Sequence, residues 1–276
     1  MNLVLQAPAL ERSDVDAVAS MAGASRIDPI GATAFRLMAA TKDEAIAAYC
    51  EARNIDYGWV PEGLRFAELK LLAMDMDSTL ITIECIDELG DLAGKKTQIA
   101  AITAQAMRGE LDFPAALKRR VAALAGLTEA SLSEVYETRL MLTPGAERLI
   151  EACKAHGVKL LLVSGGFTFF TERLKQRLGL DYTISNRLEI KHGRLTGEVL
   201  GDIVDADAKA AKFQAVMREL GASKEKTVAI GDGANDLKMM AEAGLSIAFH
   251  AKPVVRAQAD CVVSHGGLDA VLSFFE

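Results

Sequence analysis

Two aspartates follow an apolar run in the segment LLAMDMDSTL, which spans residues 71–80. Asp75 and Asp77 are two positions apart, and side chains at that spacing on an extended strand project from the same face. Two carboxylates held so close repel each other unless a cation, a shared proton or a reacting group compensates. The segment therefore predicts a chemically active site at the end of a buried strand.

Three later apolar runs also end in small or polar residues, at Ser164, at Asp232 and at Phe249-His250. Helical patterns separate these runs. From residue 69 to residue 276 the alternation predicts an α/β domain with a doubly wound parallel sheet and a Rossmann-like core. Ligands of such sheets collect at the carboxyl ends of the strands, so the polar groups are expected to meet at one edge.

The stretch from about 85 to 142 shows helical periodicity without a convincing strand. Because it leaves after the first strand of this sheet and returns before the second, we expect a helical cap above the carboxyl edge, able to close over a substrate. The next helix is expected to begin near Thr143, which would cap it, with Pro144 in its first turn. Apolar alternation on both sides of residues 191–194 predicts a hairpin over 182–200.

Residues 1–68 alternate short apolar runs with two helical patterns in the order βαββαβ. We expect a separate, small ferredoxin-like α+β domain here. Its second helix opens with a capping-box pattern at residues 41–44, which predicts Thr41 as the cap. In topology this unit resembles the ACT-type amino-acid-sensing domains, which implies an amino-acid site; a dimerisation or inert packing domain is the alternative.

Composition limits the partners and the compartment. The formal net charge of -7 and the pI near 5.3 argue against a nucleic-acid partner. The cysteines are widely spaced without a zinc-binding pattern, so we expect reduced, mostly buried thiols and a cytoplasmic location. No apolar stretch approaches the roughly 20 residues that span a bilayer, so no membrane partner is expected. The expected partner is a small molecule, and a homodimer is left open.

A second acidic strand end follows at residues 232–236, where Asp232 and Asp236 flank Asn235. Together with Asp75 and Asp77 these carboxylates predict a site for a hard cation that prefers oxygen ligands, and Mg2+ suits a partly hydrated site of this kind. The alternative for the first pair is a turn in which residues 77–79 cap a helix.

Glycines and lysines near these acids favour an anion. Ser164-Gly165-Gly166 follows a strand, and glycine there lets backbone N–H groups approach a phosphate, although the same sequence also makes ordinary turns. Lys209 and Lys212 lie on a helix upstream of the second acidic strand end. Either lysine could neutralise phosphate charge, while a solvated helix face is the usual role of lysine.

The order of these motifs resembles that of the haloacid dehalogenase superfamily. The segments that carry the resemblance are DMDST at 75–79, SGG at 164–166, a downstream lysine and GDGAND at 231–236. Glu84, together with AMRG at 106–109 and LKRRV at 117–121, extends the resemblance to the phosphoserine phosphatase family. The resemblance covers the chain from about residue 70 to its end.

The resemblance implies a phosphoric monoester hydrolase whose substrate is O-phospho-L-serine, with Asp75 as the nucleophile and Asp77 as the general acid and base. It implies Mg2+ held by Asp75, the backbone carbonyl of Asp77 and Asp232, with Asp236 supporting the metal from behind its ligands. The product would be L-serine, at the last step of its biosynthesis. A related phosphotransferase, or a phosphatase acting on another small metabolite such as phosphohomoserine, is the alternative.

The resemblance also implies the groups that bind the two ends of the substrate. Ser164, Gly165 and Lys209 would bind the phosphoryl group, and Lys209 is preferred to Lys212 because its spacing to Asp232 matches the family pattern. The amino-acid end would contact four residues, namely Glu84, Met107, Arg120 and Asn235. For Glu84 and Arg120 the alternatives are a helix-start charge and a solvated face.

Overall fold

The computed structural model describes residues 1–276. The N-terminal part contains β1 (Asn2–Gln6), α1 (Arg12–Met21), β2 (Arg26–Pro29), β3 (Ala34–Met38), α2 (Glu44–Ala52) and β4 (Asp56–Val60). This is the predicted βαββαβ order, and β1 pairs antiparallel with both β3 and β4. Leu3 and Trp59 pack with Val15 and Ile46 from the two helices, so this part has its own apolar core.

The rest of the chain alternates strands and helices. Its strands are β5 (Leu71–Asp75), β6 (Lys159–Phe167), β7 (Tyr182–Lys191), β8 (Arg194–Leu200), β9 (Thr227–Gly231), β10 (Leu245–Phe249) and β11 (Cys261–Val263). Its helices are α3 (Cys85–Leu92), α4 (Lys96–Met107), α5 (Phe113–Ala122), α6 (Glu129–Glu134), α7 (Ala146–Ala155), α8 (Thr168–Leu178), α9 (Ala206–Glu219), α10 (Leu237–Glu242) and α11 (Pro253–Arg256).

All eleven strands belong to one sheet, in the order β2-β3-β1-β4-β11-β10-β9-β5-β6-β7-β8. The pairs from β11 to β7 are parallel, which confirms the predicted α/β fold with a doubly wound core. The N-terminal strands continue this sheet because β4 pairs antiparallel with β11, placing Gly58 opposite Cys261. A Cβ atom at Gly58 would lie 2.5 Å from the Cys261 Sγ atom, so the close approach requires glycine. A separate domain ending at residue 68 stays a prediction.

The central strands are buried on both faces. On β5, Leu72 and Met74 pack into the larger core, whereas Leu71 and Ala73 pack into a second core on the opposite face. Strands covered on both faces carry nearly continuous apolar runs, as β5 does. The cores hold the carboxyl ends of the strands in fixed positions.

Helices α3 to α6 form the insertion between β5 and β6, and no strand interrupts them. The predicted hairpin is also present, because β7 pairs antiparallel with β8. The hairpin supports the insertion through backbone hydrogen bonds: the Gly126 N–H donates to the Leu195 carbonyl, and the Leu195 N–H donates to the Leu127 carbonyl. We refer to residues 85–142 as the cap.

Two predicted helix caps are wrong. Helix α7 begins at Ala146, and the Thr143 hydroxyl donates to the Thr79 carbonyl at 2.7 Å instead of capping the helix. Helix α2 is capped by Asp43, whose carboxylate accepts from the Ala45 N–H. Asp43 has the extended backbone and the side-chain acceptor that a capping position favours, whereas the residue before α7 is Gly145, which has a left-handed backbone and makes no side-chain cap.

All four cysteines are buried and unpaired, as predicted. None of the helices combines the length and the apolar character needed to cross a bilayer.

Candidate active site

Asp75 ends β5 at the carboxyl edge of the sheet and is almost fully buried. Its Oδ1 atom accepts hydrogen bonds from the Met76 N–H at 2.8 Å and from the Lys209 ammonium at 2.9 Å. Both bonds reach the same oxygen, and Oδ2 of Asp75 accepts no hydrogen bond. The Met76 N–H and the Lys209 ammonium therefore orient the carboxylate of Asp75 and compensate its charge through Oδ1 alone.

Asp77 lies in the irregular turn after β5, where Ser78 adopts a left-handed backbone with φ of 55°. Its Oδ1 atom accepts from the Cys85 N–H at 2.8 Å, and its Oδ2 atom accepts from the Ser164 hydroxyl at 3.2 Å. Asp77 is therefore held between the first helix of the cap and the second strand of the parallel sheet. The two acids face one space but have different partners.

Three carboxylates converge beside this turn. One oxygen from each of Asp75, Asp232 and Asp236 lies within 4.8 Å of the others. Asp236 is already engaged, because its Oδ1 accepts from Lys209 at 2.8 Å and its Oδ2 accepts from the Gly233 N–H at 3.1 Å. Asp75 and Asp232 therefore have the oxygens that are free to bind a cation, with Asp236 behind them.

Lys209 is the only cation that contacts these acids, and its side chain has no solvent exposure. Burial disfavours the ammonium, but the carboxylates of Asp236 and Asp75 outweigh that penalty and raise the pKa of Lys209. Lys212 lies elsewhere, with its ammonium 5.8 Å from the centre of the Tyr182 ring. One lysine leaves surplus negative charge among the three acids.

The surplus charge changes the pKa of each free acid. Burial and repulsion from Asp236 raise the pKa of Asp232 to about 6 and that of Asp75 well above its ordinary value. Burial also raises the pKa of Asp77, against the hydrogen bonds from Cys85 and Ser164. A divalent cation would relieve this repulsion, and carboxylate oxygens are the ligands that hard cations prefer. The cluster fits a metal ion.

The loop after Val163 is shaped for close approach. The ladder between β6 and β7 is irregular there, and the Ser164 hydroxyl accepts from the Gly166 N–H at 2.8 Å. A Cβ atom at Gly166 would lie 2.8 Å from the Asp77 carboxylate. Glycine therefore allows the loop to pack against the acid and keeps backbone N–H groups near the site.

A cleft of about 830 Å³ lies between these groups and the cap. Asp75, Asp77 and Asp232 line its floor. The predicted substrate-binding residues also line it, namely Glu84, Met107, Arg120, Gly165 and Asn235. Ser164, Lys209 and Asp236 lie behind the wall and contact residues of the floor.

Glu84 and Arg120 bring opposite charges to the cap side of the cleft. Burial and the negative charge of Asp77 raise the pKa of Glu84 to about 7, and its Oε1 atom accepts from the Ser78 hydroxyl at 2.8 Å. The Nε atom of Arg120 is buried without a hydrogen-bond partner. Met107 is 73% exposed at the end of α4. An acid and an arginine are thus available to a ligand that carries both charges.

The sequence did not single out several other residues of the cleft. Ser78 orients Glu84, and the Thr79 hydroxyl lies 3.5 Å from Asp232. Both residues belong to the DMDST motif that contains Asp75 and Asp77, so their place in the motif could have identified them as residues of the site. Phe113, at the start of α5, and Lys252, which follows β10 and donates its N–H to the Asp232 carbonyl, also line the cleft, and no local pattern marks them.

Known families match two parts of the chain. The sequence profile of the haloacid dehalogenase-like hydrolases matches residues 72–241. A second profile, described as a domain of unknown function (DUF4072), matches residues 3–46.

Individual proteins resemble larger parts of the chain. A phosphoserine phosphatase of Polaromonas sp. strain JS666 is 55% identical over 214 residues, which cover 76% of this chain and 91% of that protein. The unliganded crystal structure of a probable phosphoserine phosphatase from Vibrio cholerae superposes with a TM-score of 0.84 and 38% identity, covering 99% of this chain and 85% of that one. A structure described as a phospho-aspartyl intermediate analogue of phosphoserine phosphatase has a TM-score of 0.71 and 39% identity, covering 75% of this chain and 99% of that one.

Proposed function

We propose a substrate and a mechanism for this chain on the premise that it belongs to the haloacid dehalogenase-like hydrolase family. It is a phosphoric monoester hydrolase, and the substrate we infer is O-phospho-L-serine, hydrolysed to L-serine and phosphate. The observation that carries the proposal is one cleft with a free carboxylate oxygen on Asp75 at its floor and the opposite charges of Glu84 and Arg120 on its cap side. The names of the similar proteins support the same substrate.

The first chemical step uses both acids of the opening motif. The Asp75 carboxylate attacks phosphorus, the bond from phosphorus to the serine oxygen breaks, and an aspartyl-phosphate forms. Asp77 donates a proton to the departing oxygen, and burial supports this role because it raises the pKa of Asp77. The described intermediate analogue of a similar enzyme supports this route.

The second step restores the enzyme. Asp77, now deprotonated, removes a proton from water, and the water oxygen attacks phosphorus. The bond between phosphorus and Asp75 breaks, and phosphate leaves. Lys209 stays bonded to Oδ1 of Asp75 throughout, which keeps that carboxylate oriented and a good leaving group.

The phosphoryl oxygens need positive charge as they react. Lys209 supplies part of it, the Gly165 N–H supplies a hydrogen bond, and the Ser164 hydroxyl would supply another by turning from Asp77, which is protonated before the first step, to the phosphoryl group. A bound Mg2+ would supply the remainder, held by Asp75, the backbone carbonyl of Asp77 and Asp232. The surplus carboxylate charge of the cluster supports this cofactor.

The cap residues select the amino-acid end. Glu84 would accept hydrogen bonds from the substrate ammonium, and Arg120 would bind the carboxylate through its unpaired Nε. Met107 would pack on the substrate, and Asn235 would contact it beside the metal. A phosphotransferase or a phosphatase for another small metabolite, such as phosphohomoserine, would share the floor and differ in this half of the cleft.

The setting of the reaction is part of the same proposal. Hydrolysis of phosphoserine would be the last step of L-serine biosynthesis in the cytoplasm. Residues 1–68 would act as an amino-acid-sensing module or as a dimerisation module in a homodimer. Titration of L-serine into the full-length Glu84→Gln variant distinguishes the two roles: the substitution weakens serine binding at the cleft, so binding that persists at full affinity would indicate a sensor site in residues 1–68.

Replacement of Asp75 by asparagine tests the mechanism. The amide is a poor nucleophile, so we expect kcat for phosphoserine to fall by about 10⁴-fold or more in the presence of Mg2+. The matched control is Asp16→Asn, a surface aspartate on α1 that is paired with Arg12 and lies outside the cleft, which is expected to leave kcat unchanged. Hydrolysis by Asp75→Asn at even a tenth of the normal rate would remove Asp75 from its role.

A further inference from the structure

Asn186 is a buried polar residue that no motif of the sequence includes. It lies on β7 opposite Phe167 and is only 1% exposed. Its Nδ2 atom donates to the Gly165 carbonyl at 2.8 Å, and its Oδ1 atom accepts from the Val204 N–H at 2.8 Å. One side chain thus joins two loops that are far apart in sequence.

The two partners require an amide. The Gly165 carbonyl only accepts and the Val204 N–H only donates, so the bridging side chain must offer a donor and an acceptor together. Leucine has a similar shape and offers neither. Loss of the amide would leave both backbone groups buried and unpaired, so each loop would be free to move toward other partners.

On one side Asn186 fixes the phosphate loop. The peptide between Gly165 and Gly166 is held at both ends, because its carbonyl accepts from Asn186 and its N–H donates to the Ser164 hydroxyl. The same hydroxyl donates to Asp77 at 3.2 Å. The orientation of this peptide therefore sets the position of Ser164 beside the general acid.

On the other side Asn186 fixes the start of α9. Val204 directly precedes Asp205, whose carboxylate caps the helix by accepting from the Ala208 N–H at 3.0 Å. Lys209 lies in the first turns of this helix and reaches Asp75. A shift of Val204 would move the lysine relative to the loop.

We propose that Asn186 is a positioning residue that sets the distance between the phosphate-binding loop and Lys209. It contacts neither substrate nor metal in this account and acts through the Gly165 and Val204 backbones. The inference rests on the proposed function for the roles of Ser164 and Lys209. Because both roles concern the phosphoryl group, the effect of Asn186 applies to any phosphomonoester, whereas that of Glu84 and Arg120 applies to phosphoserine alone.

The test compares Asn186→Leu with Asn2→Leu in the full chain. Asn2 is equally buried, accepts one hydrogen bond from the Ala39 N–H and lies on β1 outside the cleft, so it is the matched control for loss of a buried amide. The readouts are kcat and KM for phosphoserine and for p-nitrophenyl phosphate, calorimetric affinity for inorganic phosphate with Mg2+, and the unfolding temperature.

For Asn186→Leu we expect kcat to fall about 100-fold on both substrates, since a small misplacement of reacting groups has effects of that size. Phosphate affinity is expected to fall about tenfold, while the ratio of activity between the two substrates stays unchanged. Asn2→Leu is expected to leave kcat unchanged on both substrates. A folded Asn186→Leu protein with kcat and phosphate affinity within twofold of the original would overturn the proposal.

Asn186→Asp provides a second variant if the leucine protein does not fold. At pH 8 a charged carboxylate keeps the acceptor for Val204 but has no proton for the Gly165 carbonyl, so phosphate affinity and kcat are again expected to fall. Unchanged values, or failure of both variants to fold, would assign Asn186 a purely structural role. Phosphate affinity reports on the loop even if phosphoserine is not hydrolysed, so failure of the proposed substrate is distinguishable from failure of this inference.

Discussion

Asp75 and Asp77 are two residues apart in sequence, but their side chains have different surroundings. The prediction placed both on one strand, whereas β5 ends at Asp75 and Asp77 follows in a turn with a left-handed Ser78. They still face one space, because the turn brings Asp77 to Ser164 while Lys209 holds Asp75. The spacing predicted a site with two acids. The different roles of these acids depend on Ser164, 87 residues from Asp77, and on Lys209, 134 residues from Asp75.

The raised pKa of Glu84 predicts that the preference of the enzyme for phosphoserine depends on pH. Its pKa is raised to about 7, so the fraction of free enzyme with a charged Glu84 falls as the pH falls through 7. Since only the carboxylate pairs well with an ammonium, kcat/KM for phosphoserine should decline below pH 7 relative to kcat/KM for p-nitrophenyl phosphate, which has no ammonium.

Glu84→Gln is the control for this assignment. It should abolish the difference in pH profile and lower kcat/KM for phosphoserine by about 10- to 100-fold, the value of a charge-assisted hydrogen bond. A difference in pH profile that persists in Glu84→Gln would assign it to another group.

Local sequence could not decide between some residues of the site. Lys209 and Lys212 are both on α9, and their different surroundings depend on which face of the helix meets the sheet. Lys209 is buried against two acids, while Lys212 lies near an aromatic ring. Family spacing selected the first, but its burial and its contacts are visible only in the folded chain.

At the scale of elements, the hairpin supports the cap. The end of α5 packs on β8 at Gly197, which has φ of 93°. A Cβ atom there would lie 3.1 Å from the Ala125 Cβ atom and 3.2 Å from the Ala122 Cα atom. Because α5 also carries Arg120, the position of the substrate-selecting arginine depends on this contact.

Gly197→Ala tests that dependence against Gly193→Ala. Both glycines have positive φ, so each alanine should lower the free energy of unfolding by about 1–2 kcal/mol. A Cβ atom at Gly193 meets nothing within 4 Å, so only Gly197→Ala displaces α5. We expect KM for phosphoserine to rise several-fold in Gly197→Ala alone, with KM for p-nitrophenyl phosphate unchanged. Equal KM values for phosphoserine in both variants would show that the contact between the hairpin and α5 does not affect substrate binding.

Many of the elements were predictable, because hydrophobic periodicity marks the N-terminal strands and helices, four strands of the parallel sheet, the hairpin and the helical cap, but the short strand β11 was not predicted. Helix starts were less so. Thr143 has a good capping side chain, but the fold uses its hydroxyl to hold the Thr79 carbonyl in the turn beside the acids. A tertiary contact took precedence over a local preference there.

For the whole molecule, the acidic cluster makes stability depend on pH and metal. Burial and repulsion from Asp236 raise the folded pKa of Asp232 to about 6 and hold the pKa of Asp75 well above its ordinary value. An acid with a raised folded pKa stabilises the fold at low pH and loses that contribution as the pH rises through the folded pKa. The metal-free protein should therefore become less stable as the pH rises from about 4 to above 6.

Mg2+ should reverse this loss, because it binds the charged carboxylates of the folded state. We expect the increase in unfolding temperature on replacing EDTA with Mg2+ to be larger at pH 8 than at pH 5. Asp232→Asn should remove most of the increase. An equal increase at both pH values would place Mg2+ binding elsewhere.

The continuous sheet is the feature of the whole molecule that local patterns could not predict. Strand β4 joins β11 through pairs such as Gly58 with Cys261, about two hundred residues apart in sequence. Asp56 adds to this junction by accepting from the backbone N–H groups of Ser264, His265 and Gly266. Pairing between strands so far apart in sequence depends on the complete fold. Hydrophobic periodicity therefore predicted the N-terminal strands and helices but not the pairing of β4 with β11.

The most direct measurement of the central claim is kcat/KM of the full chain with Mg2+ on a panel of phosphomonoesters. The panel contains O-phospho-L-serine, phosphohomoserine, phosphoethanolamine without the carboxylate, phosphoglycolate without the ammonium, and p-nitrophenyl phosphate. We predict that phosphoserine exceeds the compounds lacking either charge by about 100-fold or more, since the cleft would leave Glu84 or Arg120 unpaired with them. Values within about threefold across the panel, or a preference for phosphohomoserine, would contradict the account.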